Sequence, residues 1–191
     1  ASNGSGSSDA WTLALYFKPS TSTSAQTIFY FGDNDATNGG HLYLRYVGNT
    51  NKIRFQYGTS NNYLRFETPN TSLPANQWYH LMITYDGGTT GASSGDLSNY
   101  YGRFDVYVNG VSVVSSGTWS HGNFGYSGGI DPDNLRVCRY ASSNYLQLGA
   151  KVDEIAAWDS YQSANVSSIY NGGTPFDLST LTPGPKHWWR M

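Results

Sequence analysis

Two adjacent carboxylates, Asp153 and Glu154, come closest in this chain to a catalytic pair. Paired carboxylates hydrolyse glycosidic bonds, one acting as the acid and the other as the nucleophile or base. They lie between Gly149 and Asp159, where bulky residues alternate with charged ones, and this pattern predicts a half-buried strand. Because neighbours along a strand point to opposite faces, we expect the sheet to separate the two carboxylates.

The rest of the sequence supplies no other catalytic motif. The only other glutamate is Glu67, and the four histidines lie outside metal-ligand spacing. We expect His80 to pack within a strand, and Cys138, the single cysteine, to be a structural thiol. Nucleophile motifs and phosphate-binding loops are missing from the sequence. We therefore expect a domain that binds its target and does not catalyse a reaction.

Acidic loops offer a second kind of chemistry, the binding of calcium. Ca²⁺ takes about six to eight oxygen ligands from carboxylates and carbonyls on loops. Two short segments, residues 32–35 and 131–134, supply such groups, but Asp and Asn are also ordinary turn formers. Both interpretations stay open at this point. The candidate calcium ligands in these loops are Asp33, Asp35, Asp131 and Asp133.

Aromatic residues in polar stretches offer a third kind of chemistry, the binding of sugars. Aromatic rings stack on sugar rings, while Asn, Asp and Arg hydrogen-bond to the hydroxyls. Either the rings in and beside residues 88–102 and 115–133 bind glycan, or Trp119 and Phe124 plug one end of the fold. The candidate ligand-binding residues are Tyr100, Tyr101, Arg103, Trp119, His121 and Tyr126.

The elements that position these residues are short strands. Alternating segments bounded by Gly, Pro, Asn and Ser recur about every ten residues, which predicts a two-sheet antiparallel sandwich. Asn109-Gly110 is the strongest hairpin signal, with residues 111–114 as the return arm, and residues 135–139 read as one strand. The spacing of apolar residues over 160–170 predicts one short amphipathic helix, which residues 171–173 end.

Composition agrees with an all-β domain. The 191 residues include 16 Tyr, 6 Trp and 22 Gly, and only 13% are charged, which favours strands and tight turns. Lys and Arg total 11 against 13 Asp and Glu, so no basic excess indicates nucleic acid or an anionic membrane surface. The sequence has no apolar run of about 18 residues and no signal peptide, so we expect no membrane insertion.

We expect one domain over residues 10–173. Residues 1–9 read as a linker or cloning remnant, and residues 174–191 as an extension that packs on the sandwich or leads to a next domain. Both ends indicate a domain excised from a longer protein. Trp11, Trp78 and Trp158 are expected in the core.

Three motifs, in this order, resemble laminin G-like and concanavalin A-like jelly-roll domains. They are a tryptophan strand at residues 78–87, the hairpin Tyr107–Gly110 and the strand Val152–Ile155. The resemblance covers roughly residues 11–173. It implies an all-β jelly-roll sandwich of two antiparallel sheets, with one short helix after the closing strand. This fold hosts lectins, glycan-binding modules, adhesion domains and glycosidases, so function must be argued from the site.

The same resemblance bears on catalysis and on calcium. Glucanases with this fold carry Glu-x-Asp-x-x-Glu on one strand, and the sequence has no such pattern. Laminin G-like domains often hold calcium at the sandwich rim with an aspartate just ahead of a strand, where Asp33 and Asp35 stand here. Glucanases of the wider superfamily use an aspartate of the closing strand, which Asp153 matches and which adds it to the candidate calcium ligands.

We therefore predict a non-catalytic recognition module that binds glycan or mediates adhesion within a larger virion-surface or extracellular protein. The tail over residues 176–191 resembles the segment that follows such domains in phage and marine-virus structural proteins. The expected partners are a glycan or host-surface polysaccharide and other virion proteins. A structural or assembly domain of a virus particle and a domain related to glycoside hydrolases are the alternatives.

Overall fold

The computed structural model describes residues 10–21, 23–32, 40–58, 61, 63–70, 72–87, 101–122, 135–140, 144–145 and 149–191. Within these ranges the chain forms fourteen strands. They are β1 (Trp11–Lys18), β2 (Ala25–Gly32), β3 (His41–Val47), β4 (Lys52–Gly58), β5 (Tyr63–Glu67), β6 (Tyr79–Tyr85), β7 (Phe104–Val108), β8 (Val111–Ser112), β9 (Thr118–His121), β10 (Leu135–Val137), β11 (Arg139–Tyr140), β12 (Asn144–Tyr145), β13 (Lys151–Trp158) and β14 (His187–Trp189).

The strands form two six-stranded antiparallel sheets. Sheet A has the order β14-β13-β1-β6-β7-β8, and sheet B has the order β10-β2-β3-β4-β5-β9. The short strands β11 and β12 pair only with each other. The predicted fold class, an all-β sandwich of two antiparallel sheets with one short helix near the end of the chain, is confirmed.

The main core lies between the two sheets. On β1 the alternation of the sequence turns Leu13, Leu15 and Phe17 inward, where they belong to one buried cluster with Leu44 and Phe55 of sheet B. Burying each such side chain stabilises the fold by roughly 1.5–3 kcal/mol. The outward residues of each sheet are therefore the ones left for other tasks.

The outer face of sheet A carries a second apolar cluster. Ala14, Met82 and Ala156 pack there against Ile169 of the short helix α1 (Val166–Tyr170) and against Leu178 further along the chain. The chain itself therefore covers this face. In the part of the chain that the structure describes, no helix is long and apolar enough to cross a membrane.

The helix over residues 160–170 is shorter than predicted. A 3₁₀ turn at Ser163–Asn165 precedes α1, and just ahead of it the N–H of Gln162 donates to the hydroxyls of Thr12 and Thr84, which ties this segment to sheet A. The end of the helix is as predicted. Asn171 there has a φ of 45°, the left-handed conformation in which many helices stop.

Residues with positive φ set the ends of the strands at two places. Asn109 and Gly110 both have positive φ (50° and 75°), as the predicted tight hairpin requires, but the return arm pairs only over Val111–Ser112. The predicted strand over residues 135–139 is interrupted at Cys138, where φ is 63°. Burial raises the pKa of the Cys138 thiol, which fits an unreactive, structural cysteine.

The prediction that three tryptophans lie in the core is wrong for one of them, Trp78. Trp158 is buried and Trp11 packs against the main core, but Trp78 is 45% exposed. The reason is that β6 begins only at Tyr79, so Trp78 lies ahead of the sheet and is not held by its alternation.

Candidate functional site

The adjacent carboxylates of β13 do not lie on opposite faces, so that prediction is wrong. Glu154 has a φ of 52°, and a β-bulge shifts the pairing with β1 around Leu15. The extra residue breaks the alternation, and both carboxylates reach the end of the chain. Asp153 Oδ1 accepts from the N–H of Met191 (2.9 Å), and Glu154 Oε2 accepts from Nε1 of Trp188 (2.7 Å).

The two glutamates of the chain cannot work as a pair. Glu154 contacts the C-terminal segment on sheet A, whereas Glu67 lies on the outer face of sheet B, where Lys52 and Arg54 pair with it. Burial alone would raise the pKa of Glu67, but the hydrogen bonds from these two cations hold it below its ordinary value. Packed sheets are about 10 Å apart. Glutamates on their two outer faces lie beyond the roughly 5–9.5 Å that glycosidase pairs need.

Four of the five predicted calcium ligands lie outside the described residues: Asp33, Asp35, Asp131 and Asp133. The fifth, Asp153, already accepts hydrogen bonds from the backbone N–H groups of Glu154 and Met191. Within the described ranges, no group of three or more acidic, histidine or cysteine side chains is arranged to hold a metal ion. Calcium binding therefore stays a prediction.

The structure brings Tyr101 and Trp119 together at the β9 edge of the sandwich. Their rings stack with centroids 5.0 Å apart and an interplanar angle of 22°, and the ring centroid of Phe66 lies 4.9 Å from that of Trp119. Burial raises the pKa of Tyr101. Nε1 of Trp119 is buried without a hydrogen-bond partner among the described residues. Trp119 therefore packs at the edge of the core, and this structural role does not depend on ligand binding.

The other predicted ligand-binding residues are dispersed. Arg103 pairs with Asp86 (3.2 Å between Nη1 and Oδ1), and Nδ1 of the exposed His121 lies 2.7 Å from the carbonyl oxygen of Gly122. Tyr100 and Tyr126 lie outside the described residues. These residues stay candidates.

A continuous polar row crosses sheet B on its outer face. Directly opposed residues in an antiparallel sheet share a face, so successive register partners trace a line across the strands. We call this line the polar row. It consists of Arg136 on β10, Tyr30 on β2, Tyr43 on β3, Gln56 on β4, Arg65 on β5 and Ser120 on β9.

Gln56 is the centre of the polar row, with only 3% of its surface exposed. Its Oε1 accepts from the hydroxyl of Tyr43 (2.7 Å) and from Nε and Nη2 of Arg65 (3.0 and 2.8 Å). Because that oxygen is the acceptor, the amide nitrogen donates to Nε2 of His41 at 3.2 Å, and this ring nitrogen carries no proton. A buried amide that is bonded on both sides fixes its neighbours in one arrangement.

Aromatic and cationic groups stack beside this centre. The His41 ring lies parallel to Tyr43 at 5.5 Å and close to parallel with Tyr30 at 5.8 Å. The guanidinium of Arg45 lies 4.5 Å from the centroid of Tyr43, and that of Arg65 lies 4.4 Å from Tyr63. These are cation–π distances, so each guanidinium is attracted to the face of a ring.

The row has a buried part and an accessible part. Tyr30, Tyr43 and Gln56 are buried, whereas Arg65 and Ser120 are partly exposed, as is Tyr63 beside them. The buried part therefore fixes positions, and the accessible part on β5 and β9 can contact a ligand with N–H and O–H donors and a ring.

Sequence reasoning missed this face, although its signal was present. In β3 the residues His41, Tyr43 and Arg45 alternate with apolar ones, and in β5 Tyr63 and Arg65 do the same. Polar residues at alternating positions are ordinarily hydrated. Only the strand order shows that these positions are neighbours.

The model of the family described as concanavalin A-like lectin/glucanases superfamily matches residues 1–165. The chain belongs to this superfamily. The laminin G-like and concanavalin A-like resemblance stated from the motifs is thereby confirmed. A search of curated protein sequences found no significant match.

Solved structures with the same fold include modules with bound oligosaccharides. One is domain 4 of an extracellular arabinanase from Geobacillus stearothermophilus in complex with arabinotriose (19% identity, 88% of this chain and 69% of that chain covered, TM-score 0.52). Another is the carbohydrate-binding module of a Ruminococcus gnavus sialidase bound to α2,3-sialyllactose (11% identity, 90% and 93% covered, TM-score 0.56). A third is the binding domain of botulinum neurotoxin serotype C1 (8% identity, 89% and 38% covered, TM-score 0.53). At these identities the likeness concerns the fold.

Proposed function

We propose that this chain is a non-catalytic glycan-recognition module and that its binding surface is the accessible part of the polar row. The observation that carries the proposal is the buried Gln56, which orients Arg65 beside Tyr63 and Ser120 on one face. Oriented hydrogen-bond donors beside an aromatic ring are what sugar recognition requires. The saccharide complexes of two similar folds support the same class of function.

The arrangement of the carboxylates supports binding without catalysis. Glu67 is held by two cations on one sheet, and Glu154 is held by Trp188 on the other. Each carboxylate thus serves a structural contact. A domain related to glycoside hydrolases would need a facing pair, for which these two glutamates are unsuited.

We place the module in an extracellular or surface protein, the setting of the arabinanase to which one similar domain belongs. The narrower setting that we propose is a virion appendage, and the resemblance of residues 176–191 to phage and marine-virus tails supports it. A partner would then be a host-surface polysaccharide. In the assembly alternative, the domain would dock to other virion proteins without binding sugar.

A glycan array followed by calorimetric titration of the hits tests the proposal. We expect Tyr63→Ala to weaken binding at least tenfold, because it removes the accessible ring, and Val111→Ala at the exposed far edge of sheet A to leave it unchanged. Arg103→Gln tests the alternative site. Loss of binding in that variant with full binding by Tyr63→Ala would refute our site in favour of the loop residues.

A further inference from the structure

Charge is distributed unevenly between the two outer faces. The chain as a whole carries a net charge of −2. On the described outer face of sheet A, the acidic side chains of Asp105, Asp153 and Glu154 are balanced by three cations, Lys18, Lys151 and Arg190. The described part of the outer face of sheet B has one carboxylate, Glu67, and five cations. These cations are Arg45, Lys52, Arg54, Arg65 and Arg136.

The described residues of this face therefore carry more positive than negative charge, in a chain without a basic excess. Clustered charges of one sign raise the local concentration of oppositely charged ligands and speed their association. Glu67 offsets the charge of its own two partners, Lys52 and Arg54, in part. The charge of Arg65 is not offset in this way.

The guanidinium of Arg65 is held in place by contacts with two neutral residues. Its Nε and Nη2 both donate to Gln56 Oε1, and its Cζ lies 4.4 Å over the ring centroid of Tyr63, so two contacts fix the guanidinium. Both partners are neutral. Among the described residues, no carboxylate contacts Arg65, and its Nη1 group has no hydrogen-bond partner.

A fixed guanidinium with one edge available matches the chemistry of a planar acid. Arginine binds carboxylates with short, charge-assisted hydrogen bonds, and less entropy is lost when packing has already oriented the side chain. A neutral sugar could use the same N–H groups but would leave the charge uncompensated. The acidic group of a sugar would supply the missing counter-charge.

We infer that the glycan recognised on this face is anionic, with its carboxylate or sulfate group bound by Arg65. This inference rests on the proposed glycan-binding function and narrows it to a substrate class. Ser120, the register partner of Arg65, is placed to accept or donate a hydrogen bond to the same sugar.

The experiment is a glycan array of matched acidic and neutral pairs, such as 3′-sialyllactose, 3′-sulfated lactose and lactose, with calorimetry on the hits. We expect acidic members to bind at least tenfold more tightly than their neutral partners, and the preference to shrink at high salt because screening weakens exposed charge pairs. Arg65→Gln should abolish the preference. The sialylated and sulfated arms identify which acidic group is bound.

The matched control is Arg190→Gln. Arg190 also lies over an aromatic ring, Trp188 at 4.9 Å, but it pairs with Glu154 on sheet A. Arg190→Gln removes the same charge from the face of sheet A and should leave the preference for acidic sugars intact. Circular dichroism and thermal melting establish that both variants are folded.

The outcomes separate the two proposals. Equal binding of acidic and neutral partners, or an Arg65→Gln variant that keeps the preference, would overturn the anionic specificity while glycan binding stands. A DNA oligonucleotide that binds as tightly as the acidic sugar would also overturn it, because a generic polyanion surface would suffice. An array without any hit would overturn glycan binding itself, and the specificity with it.

Discussion

His80 makes part of the folding stability sensitive to acid. The side chain lies on β6 with 2% of its surface exposed, between the rings of Tyr16 (5.0 Å) and Tyr170 (5.6 Å). Its Nδ1 has no hydrogen-bond partner among the described residues. Burial lowers the pKa of His80 from its ordinary value of 6.5 to about 4, so the imidazole is neutral in the folded protein at neutral pH.

The sign and size of the effect follow from this shift. The unfolded chain binds a proton at His80 near pH 6.5, whereas the folded chain binds it only near pH 4. Between these values protonation favours unfolding, so the contribution is fully present above pH 6.5 and is lost by pH 4. At about 1.4 kcal/mol per unit of pKa, the whole shift corresponds to roughly 3 kcal/mol, and most of it is lost by about pH 4.5.

Urea unfolding followed by tryptophan fluorescence, between about pH 7.5 and 4.5, measures this loss. Staying above about pH 4.5 limits the contribution of carboxylate protonation to the change in the free energy of unfolding. His80→Phe keeps an aromatic ring between the two tyrosines but cannot be protonated. We expect the wild type to lose about 2–3 kcal/mol more than this variant over the range, since only the wild type binds the proton on unfolding.

His187→Asn is the control, because it removes an exposed histidine and leaves His80 in place. It should follow the wild-type pH dependence. A constant difference in unfolding free energy between wild type and His80→Phe at every pH would refute the reasoning.

Three further predictions concern the edge of the sandwich, the C-terminal contact and calcium. Trp119→Ala should lower the free energy of unfolding by about 2–4 kcal/mol, because the ring packs on Phe66; a change below about 0.5 kcal/mol in a urea titration would show that the ring is not structural. Glu154→Ala should cost about 1.5–3 kcal/mol by removing the acceptor of Trp188, whereas Asp159→Ala, which breaks a pair exposed to solvent, should cost less than about 1 kcal/mol; equal losses by chemical denaturation would contradict this. Finally, we propose that calcium binds, so calcium should raise and EDTA should lower the melting temperature in differential scanning fluorimetry; no shift in either direction would refute calcium binding.

The fold could be predicted because its signals are local. The alternation over β3 gives its bounds at His41–Val47 as the structure has them, and Asn109-Gly110 supplies two residues that adopt positive φ. Each of these signals is contained within a few neighbouring residues. Strands that follow one another along the chain then tend to pair in antiparallel fashion, which limits the possible partners of each strand.

Features that depend on distant contacts were missed. Nothing in the sequence around Glu154 shows that a residue other than glycine adopts a left-handed φ, since the bulge is held by contacts with Trp188 and Met191 more than thirty residues later. Trp78 was assigned to the core because its type favours burial, but a residue just ahead of a strand is not bound by its alternation.

The polar row was missed for a related reason. Its central members, Tyr43, Gln56 and Arg65, are on three successive strands, but Ser120 and Arg136 come from strands far along the chain. Sequence reasoning placed the binding residues in loops, where aromatic residues are conspicuous. The residues that hold Arg65 in place are within strands, where the pattern alone reads as a hydrated face.

The two outer faces differ in what covers them, and this difference explains why the outer face of sheet B is suited to binding. Ile169, Leu178 and Trp188 cover the outer face of sheet A, and Glu154 secures that cover through its bond with Trp188. A sheet whose outer residues were only structural would be expected to expose simple hydrated side chains. Sheet B instead carries a buried glutamine whose side-chain oxygen accepts from Tyr43 and Arg65 and whose amide nitrogen donates to His41. Burying an amide costs free energy unless it is hydrogen-bonded, and here its bonds orient Arg65, which favours recognition over packing as the task of this face.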